Sequence, residues 1–139
     1  MIFVDTSFFY ALFAEDDGEH GRAVEAFRGF HGQNLHSLLV TTDLVVMETI
    51  TLARRKSTHR HAAYIGERLY SEKVARIQRT TFEDQSRAFE YFKRYADKKY
   101  SAIDCLSFVV MEQLGVTEAL TFDSDFAHRF TVRPGPAQR

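Results

Sequence analysis

The chain has very little cysteine, proline or glycine, and it carries almost no net charge. Its one cysteine, Cys105, excludes an internal disulfide and a thiolate metal cage, and it agrees with a reducing compartment. Two prolines and seven glycines among 139 residues exclude a disordered or low-complexity chain. A net charge of −1 means that any site for a polyanion must be a local basic patch.

Long hydrophobic runs are also missing. The longest early apolar run, residues 8–14, is too short to span a bilayer, and no basic region precedes the acid at position 5. We therefore expect no export or membrane signal and a cytoplasmic location. In contrast, 45% of the residues are apolar, and thirteen residues of the chain are phenylalanine. A chain of this size buries roughly 68–70% of its unfolded surface, so we expect one globular domain with a real core.

Short apolar strands alternate with amphipathic helices along the sequence. Strands are predicted over residues 2–4, 38–40, 74–77, 119–122 and 130–132. Helices are predicted after a cap at Thr6 or Ser7, over about 19–30, from a cap at Thr42 or Asp43 to about 56, over about 57–71, from Thr81 onward, from Ser101 to Gly115, and as a turn over 124–128. This order predicts an α/β fold, a three-layer α/β/α sandwich with a central, mainly parallel sheet of about five short strands. The domain is expected to cover residues 1–133, followed by a short C-terminal tail, 134–139.

Four acidic residues, Asp5, Glu48, Asp104 and Asp123, lie at the ends of apolar segments or interrupt them. Asp5 and Asp123 follow predicted strands at the edge where parallel sheets bind ligands. Two carboxylates about 4 Å apart at an effective dielectric near 20 repel by roughly 4 kcal/mol. Several acids meeting in one pocket would therefore need protons or a cation.

Each acid also has a purely structural interpretation. Asp5 and Asp123 could be helix caps or loop acids, and Ser101-x-x-Asp104 fits a capping box. Glu48 could be a solvated helix acid, although its apolar neighbours disfavour this. The four together are harder to explain this way, because all are expected beside one sheet edge. Oxygen ligands without cysteine suit Mg²⁺ or Mn²⁺, and Mg²⁺ commonly binds a few carboxylates together with substrate phosphate.

The order and spacing of these motifs resemble the acidic motifs of PIN-domain ribonucleases, most closely the VapC-type toxins of toxin–antitoxin pairs. The matching motifs are Val4-Asp5-Thr6-Ser7, Glu48, Ser101-x-x-Asp104 and Thr121-x-Asp123-x-Asp125-Phe126. The resemblance implies a PIN-like fold and a metal held by Asp5, Glu48, Asp104 and Asp123, with Asp125 as a further direct or water-mediated ligand. It also implies that the hydroxyls of Thr6, Ser101 and Thr121 orient the carboxylates, although Thr6 and Ser101 could equally serve only as helix caps.

The resulting hypothesis is an endoribonuclease that depends on Mg²⁺ or Mn²⁺. Water activated by one or two bound ions would attack the phosphorus in line and leave 5′-phosphate and 3′-hydroxyl ends. The resemblance further implies a homodimer and a cognate antitoxin whose segment lies across the active-site groove. The sequence does not identify the RNA target, for which transfer RNA is one candidate.

The densest basic cluster is a candidate RNA contact, and it comprises Arg54, Arg55, Lys56 and Arg60. Basic residues at a helix C-terminus also favourably oppose the helix dipole, which is an equally good explanation. The aromatic residues are expected to lie mostly in the core, with some at interfaces. The six histidines show no metal-ligand spacing, and we assign them no catalytic role.

Three alternatives remain. One is a PIN nuclease of RNA processing that is not a toxin, and another is a scaffold that binds RNA or a partner without cutting. The third is a Mg²⁺-dependent phosphoryl-transfer domain of the haloacid-dehalogenase or receiver type. The sequence argues against the third, because Ser7 stands where the phosphatase needs a second Asp. Arg133-Pro134 stands where the receiver needs a Lys.

Overall fold

Five parallel strands form the central sheet of the computed structural model, which describes residues 1–137. The strands are β1 (Ile2–Val4), β2 (Leu39–Thr42), β3 (Arg76–Gln78), β4 (Glu118–Thr121) and β5 (Thr131–Pro134). Their order across the sheet is β3-β2-β1-β4-β5, and every neighbouring pair is parallel. β1 and β2 are buried along their whole length, as expected for short apolar strands covered on both faces.

Seven helices and one 3₁₀ helix connect these strands. They are α1 (Thr6–Phe13), α2 (His20–Arg28), α3 (Leu35–Leu38), α4 (Asp43–Lys56), α5 (His59–Tyr70), α6 (Phe82–Arg94), α7 (Ala102–Leu114) and the 3₁₀ helix Ser124–His128. Right-handed crossovers place α1, α2, α4 and α5 on one face of the sheet, and α6 and α7 on the other, because the chain reverses its direction across the sheet after β3. The helix contacts agree, since α1 packs against α2 and α4, α4 against α5, and α6 against α7. The predicted three-layer α/β/α fold is confirmed.

Helix α7 lies at the centre of the core, as its hydrophobicity predicted. Every residue from Cys105 to Met111 is buried. The Phe108 ring makes edge contacts with Phe126 at 4.9 Å and with Tyr100 at 5.0 Å between ring centroids. Gly115 ends the helix with φ of 67°, a left-handed conformation that glycine adopts without strain.

Several element boundaries differ from the sequence predictions. Leu38 belongs to α3 rather than to a strand, because its amide donates to the Asn34 carbonyl at 3.1 Å and closes a helical turn. β3 begins at Arg76 instead of residue 74, because its pairing with β2 starts at Arg76, opposite Val40. α1 is capped by Asp5, whereas the sequence analysis expected Thr6 or Ser7 at this position.

The phenylalanines of α6 are not core residues, unlike most of the aromatic residues that the sequence placed in the core. Phe82, Phe89 and Phe92 are 85%, 55% and 43% exposed. Ala88 is the buried residue of this helix. Because α6 packs against α7 and lies outside it, only a narrow strip of its surface is covered.

The first residues of the predicted C-terminal tail contact the domain. Pro134 ends β5, and its carbonyl accepts a hydrogen bond from Arg22 Nη2 at 3.1 Å. The Gly135 amide donates to the Thr121 carbonyl at 3.0 Å. Residues 138 and 139 lie outside the described part of the chain. No helix within residues 1–137 has both the length and the apolar character needed to cross a membrane.

Candidate metal centre

The acidic residues approach one another at the carboxyl edge of the sheet, next to β1 and β4. Asp5 directly follows β1, and Asp123 lies two residues after β4. Glu48 is in the second turn of α4, which leaves the same edge from β2. Asp104 is in the first turn of α7, whose start lies at this edge because the helix leads back to the beginning of β4. The β1–β4 junction is where the strand order reverses, the usual ligand position of such sheets.

Asp5 is 4% exposed, and its carboxylate is held by hydrogen bonds. Its Oδ2 accepts from Ser7 Oγ and Thr121 Oγ1, both at 3.0 Å, and from the Ser7 amide at 3.4 Å. Burial raises the pKa of Asp5 to about 6, although the hydrogen bonds from Thr121 and Ser7 oppose the shift. Among the described residues, both side-chain donors go to Oδ2 and neither goes to Oδ1.

Asp104 both caps a helix and faces the other acids. Its Oδ2 accepts from the Ser101 amide at 3.0 Å, and its own amide donates to Ser101 Oγ at 3.0 Å, which is the capping box seen in the sequence. Burial raises the pKa of Asp104 to about 7, and the charges of Asp5, Asp123 and Glu48 add to the increase. The carboxylate of Asp104 therefore both completes the capping box of α7 and belongs to the acidic group.

Asp123 and Asp125 form the turn after β4. Asp123 Oδ1 accepts from the Asp125 amide at 2.9 Å and so caps the 3₁₀ helix. Burial and the Asp125 charge raise the pKa of Asp123, while the hydrogen bond from the Asp125 amide opposes the increase. One carboxylate oxygen each from Asp104, Asp123 and Asp125 lie within 4.8 Å of one another. Asp125, ranked below Asp123 from the sequence, is thus part of the tightest group.

Glu48 and Asp5 lie around this triple without belonging to it. Glu48 is half-buried on α4, and its charge contributes to the raised pKa of Asp104. Asp5 acts on Asp104 in the same way. The structure therefore brings all five predicted acids to one sheet edge, where an oxygen of Asp104 lies close to oxygens of Asp123 and Asp125 and the charges of Asp5 and Glu48 act on Asp104 electrostatically.

The hydroxyl residues differ in their contacts. Thr121 is fully buried, donates to Asp5, and accepts from the Asp123 amide at 2.9 Å. Ser101 is exposed and serves the capping box. Thr6 Oγ1 is buried without a hydrogen-bond partner among residues 1–137, whereas Ser7 Oγ contacts Asp5. From the sequence, Ser7 was expected only to cap α1, although an Asp two residues before a Ser at a helix start is a signal for this contact.

These residues fit a hard divalent cation. Every donor is a carboxylate oxygen, the ligand type that Mg²⁺ and Mn²⁺ prefer. The raised pKa values of Asp5, Asp104 and Asp123 show that the carboxylates are unfavourably close or buried when no cation balances them. A divalent cation at this position would remove the repulsion that burial makes costly.

The predicted RNA contacts lie away from this centre. Arg54, Arg55 and Lys56 are exposed in the last turn of α4, and Arg60 is exposed at the start of α5. The Lys56 ammonium stands 5.3 Å from the centroid of the Tyr10 ring. At 1.5 Å per residue, Lys56 is about 12 Å along the helix axis from Glu48. The basic cluster and the acids therefore occupy different ends of α4.

Comparisons of the sequence and of the structure with known proteins agree on one family. Residues 2–129 match the PIN domain family. The chain is 35% identical over 127 residues to the 23S rRNA-specific endonuclease VapC20 from two strains of Mycobacterium tuberculosis, CDC 1551 / Oshkosh and ATCC 25618 / H37Rv, covering 91% of this chain and 92% of each relative. The crystal structure of M. tuberculosis VapC20, described as a sarcin–ricin loop cleaving toxin, matches with a TM-score of 0.83 at 32% identity over 92% of this chain and 94% of that one.

The resemblance that the acidic motifs indicated is confirmed by the sequence relatives and by the solved structure. The matched region contains Asp5, Glu48, Asp104, Asp123 and Asp125, so it includes the whole acidic group. The chain belongs to the PIN domain family, a nuclease fold, with VapC-type toxins among its relatives.

Proposed function

We propose that this protein is a metal-dependent endoribonuclease and the toxin component of a VapC-type toxin–antitoxin pair. The observation that carries the proposal is the group of acids at the carboxyl edge of a PIN domain, in which Asp104, Asp123 and Asp125 offer oxygens within 4.8 Å of one another. Buried acids with raised pKa values in a cleft are characteristic of functional sites. The name of the relative, a 23S rRNA-specific endonuclease, supports RNA as the substrate class.

Asp104, Asp123 and Asp125 are the proposed inner ligands of Mg²⁺ or Mn²⁺, with Asp5 and Glu48 completing the set. When bound, such a cation supplies an acidified water and stabilises charge on the phosphate and on the leaving oxygen. The residues of the chain have three tasks. They must ionise to accept the cation, hold their oxygens at fixed positions, and leave space for a phosphodiester at the sheet edge. The contacts of Asp5 with Thr121 and Ser7, and of Asp104 with Ser101, support the second task.

Cleavage assays test the proposal directly. Ribosomal RNA containing the sarcin–ricin loop and transfer RNA are incubated with the protein in Mg²⁺, in Mn²⁺ and in EDTA. We expect cleavage with either cation, none in EDTA, and ends that carry 5′-phosphate and 3′-hydroxyl groups. Asp5→Asn and Asp104→Asn should each lose the activity, while the control Asp97→Asn, at an exposed loop position, should keep it. Cleavage in EDTA, or full activity in both site variants, contradicts the proposal.

The basic cluster at the α4–α5 junction, Arg54, Arg55, Lys56 and Arg60, is proposed to contact RNA phosphates outside the cleavage site. All four side chains belong to exposed residues. Each phosphate contact with single-stranded nucleic acid contributes about −0.7 to the slope of log K against log salt. Arg55→Glu should therefore weaken RNA binding and flatten that slope, whereas Arg68→Glu, also exposed but near the end of α5, should not. An unchanged slope in Arg55→Glu would remove this residue from the RNA footprint.

Three further properties are proposed from the family resemblance: a cytoplasmic location, a homodimer and a cognate antitoxin. The exposed phenylalanines of α6, Phe82, Phe89 and Phe92, support an apolar contact with another chain. Light scattering that shows only monomer would argue against the dimer. A PIN nuclease of RNA processing is the second candidate. Growth arrest on expression, relieved by the neighbouring gene's product, distinguishes the toxin from it.

A further inference from the structure

Ser7 makes more contacts in the acidic centre than the sequence motif suggested. Its Oγ lies 3.0 Å from Asp5 Oδ2 and 3.2 Å from Thr121 Oγ1. It also accepts a hydrogen bond from the Phe122 amide at 3.0 Å. One hydroxyl therefore joins the first turn of α1, the end of β4 and the turn that carries Asp123.

The direction of these hydrogen bonds follows from counting protons. A hydroxyl has one proton and two lone pairs, whereas an ionised carboxylate only accepts. The Phe122 amide occupies a lone pair of Ser7, and the Asp123 amide occupies a lone pair of Thr121. Each hydroxyl proton is then free to point at Asp5 Oδ2, which lies 3.0 Å from both oxygens. Two backbone amides of one turn thus orient two hydroxyls toward a single carboxylate oxygen.

Oδ2 of Asp5 is fully engaged by this arrangement, because it also accepts the Ser7 amide at 3.4 Å. Bonds on one oxygen fix the plane of a carboxylate and leave the other oxygen as the one available to a ligand. We propose that Ser7 is a positioning residue that presents Oδ1 of Asp5 to the metal and keeps the Asp123 turn in register with Asp5. This inference rests on the proposed function, since it assumes that the acids bind a divalent cation.

Replacing Ser7 by alanine removes this role with little other disturbance. The Ser7 amide donates to Asp5, the N-cap of α1, and because it is a backbone group the substitution keeps it. Alanine is also the best helix former, so α1 itself is not weakened. The variant loses the hydroxyl proton given to Asp5 and the acceptor of the Phe122 amide. Ser7→Cys, with a side chain of similar size but a weak donor, gives a second test of the same loss.

Mn²⁺ titration by calorimetry, combined with cleavage kinetics at saturating Mn²⁺, tests the inference. Loss of a group that orients a metal ligand typically reduces affinity by about 10-fold to 100-fold. We expect that reduction in Ser7→Ala and Ser7→Cys, with kcat lowered and KM for RNA close to wild type. Ser7→Thr keeps the hydroxyl and should bind Mn²⁺ within about threefold of wild type, far inside that range. The matched control is Ser86→Ala, an exposed position on α6, which should be unchanged.

The possible results distinguish a failure of the positioning role of Ser7 from a failure of the proposed function. If wild type binds Mn²⁺ and cleaves RNA while Ser7→Ala matches Ser86→Ala in both measurements, the positioning role is wrong and the proposed function stands. A lower melting temperature of Ser7→Ala with unchanged Mn²⁺ affinity would likewise overturn it, because Ser7 would then only stabilise the fold. If wild type neither binds Mn²⁺ nor cleaves RNA, the proposed function fails, and the role of Ser7 fails with it.

Discussion

Replacing Asp104 by asparagine is expected to stabilise the metal-free protein while it abolishes cleavage. The amide keeps the size of the side chain, and its oxygen can still accept the Ser101 amide of the capping box. It removes the charge that burial and the nearby acids Asp5, Asp123 and Glu48 make unfavourable. A ligand of the proposed cation is therefore also a source of instability when the cation is absent.

The size of the effect follows from the pKa of Asp104, which is about 7 in the folded protein against an ordinary value of 3.8. At about 1.4 kcal/mol per pH unit, ionising Asp104 at pH 8 costs the folded state up to about 4 kcal/mol. Partial solvation of the side chain lowers the expected gain in the variant to about 2–3 kcal/mol. Because the pKa is raised, the folded protein holds more protons than the unfolded chain between pH 3.8 and about 7. Wild-type stability from this group therefore falls as the pH rises through that range, and at pH 5 the advantage of the variant should be only about two-fifths of its value at pH 8.

Urea unfolding followed by circular dichroism, in EDTA at pH 8 and at pH 5, measures this difference. Asp97→Asn is the control, because an exposed acid should change stability by no more than about 0.5 kcal/mol. In a second series without EDTA, free Mn²⁺ at 100 times its dissociation constant should stabilise wild type by about 2.7 kcal/mol and the Asp104 variant by much less. If Asp104→Asn is less stable than wild type at pH 8 in EDTA, the acids do not destabilise one another and the reasoning fails.

Three further predictions concern the same fold. The Mn²⁺ affinity should fall from pH 8 to pH 5, because Asp104, with a pKa of about 7, and Asp5, with a pKa of about 6, then hold protons that the cation must displace; calorimetry that shows a constant affinity would contradict this. Thr121→Val should destabilise the protein by about 1–3 kcal/mol in urea, because it removes the hydroxyl donor of the buried Asp5 carboxylate and the acceptor of the half-buried Asp123 amide; Thr51→Val, at an exposed position on α4, serves as control. Gly115→Ala should cost about 1 kcal/mol in the same measurement, since the new Cβ has space but φ is 67°; a neutral result would mean that α7 does not end in this conformation in solution.

The long periodic segments could be predicted from the sequence, because a large hydrophobic pattern determines them. The Ser101 to Gly115 helix is an example, since its capping box and its glycine stop mark both ends. Short elements depend on local hydrogen bonds that composition does not show. Leu38 is apolar and precedes β2, so it fits a strand, but the Asn34 carbonyl binds its amide in a helical turn.

The exposed side of α6 was not predictable for a different reason. Phe82, Phe89 and Phe92 have the spacing of an apolar stripe, yet burial depends on which side of the helix another element covers. Only the tertiary arrangement, in which α6 packs chiefly against α7, decides it.

The acids of the site could be predicted, while the hydroxyls around them could be predicted only in part. Asp5, Asp104 and Asp123 stand out because charges beside apolar segments are rare. Thr6 and Ser7 are both adjacent to Asp5, and the sequence does not say which of them turns toward it. The extended backbone of Asp5 decides this, because it places the second residue of α1 against the carboxylate.

Three helical segments of this domain have an acid of the candidate centre in their cap. Asp5 and Asp123 accept the amides of the second residues of α1 and of the 3₁₀ helix, and Asp104 accepts the amide of Ser101, the N-cap of α7. Protonating these carboxylates or moving them therefore changes the caps of three chain segments, which lie on both sides of the sheet. Hydrogen exchange at the amides of Ser7, Ser101 and Asp125 should record loading of the centre, with slower exchange when the cation is present.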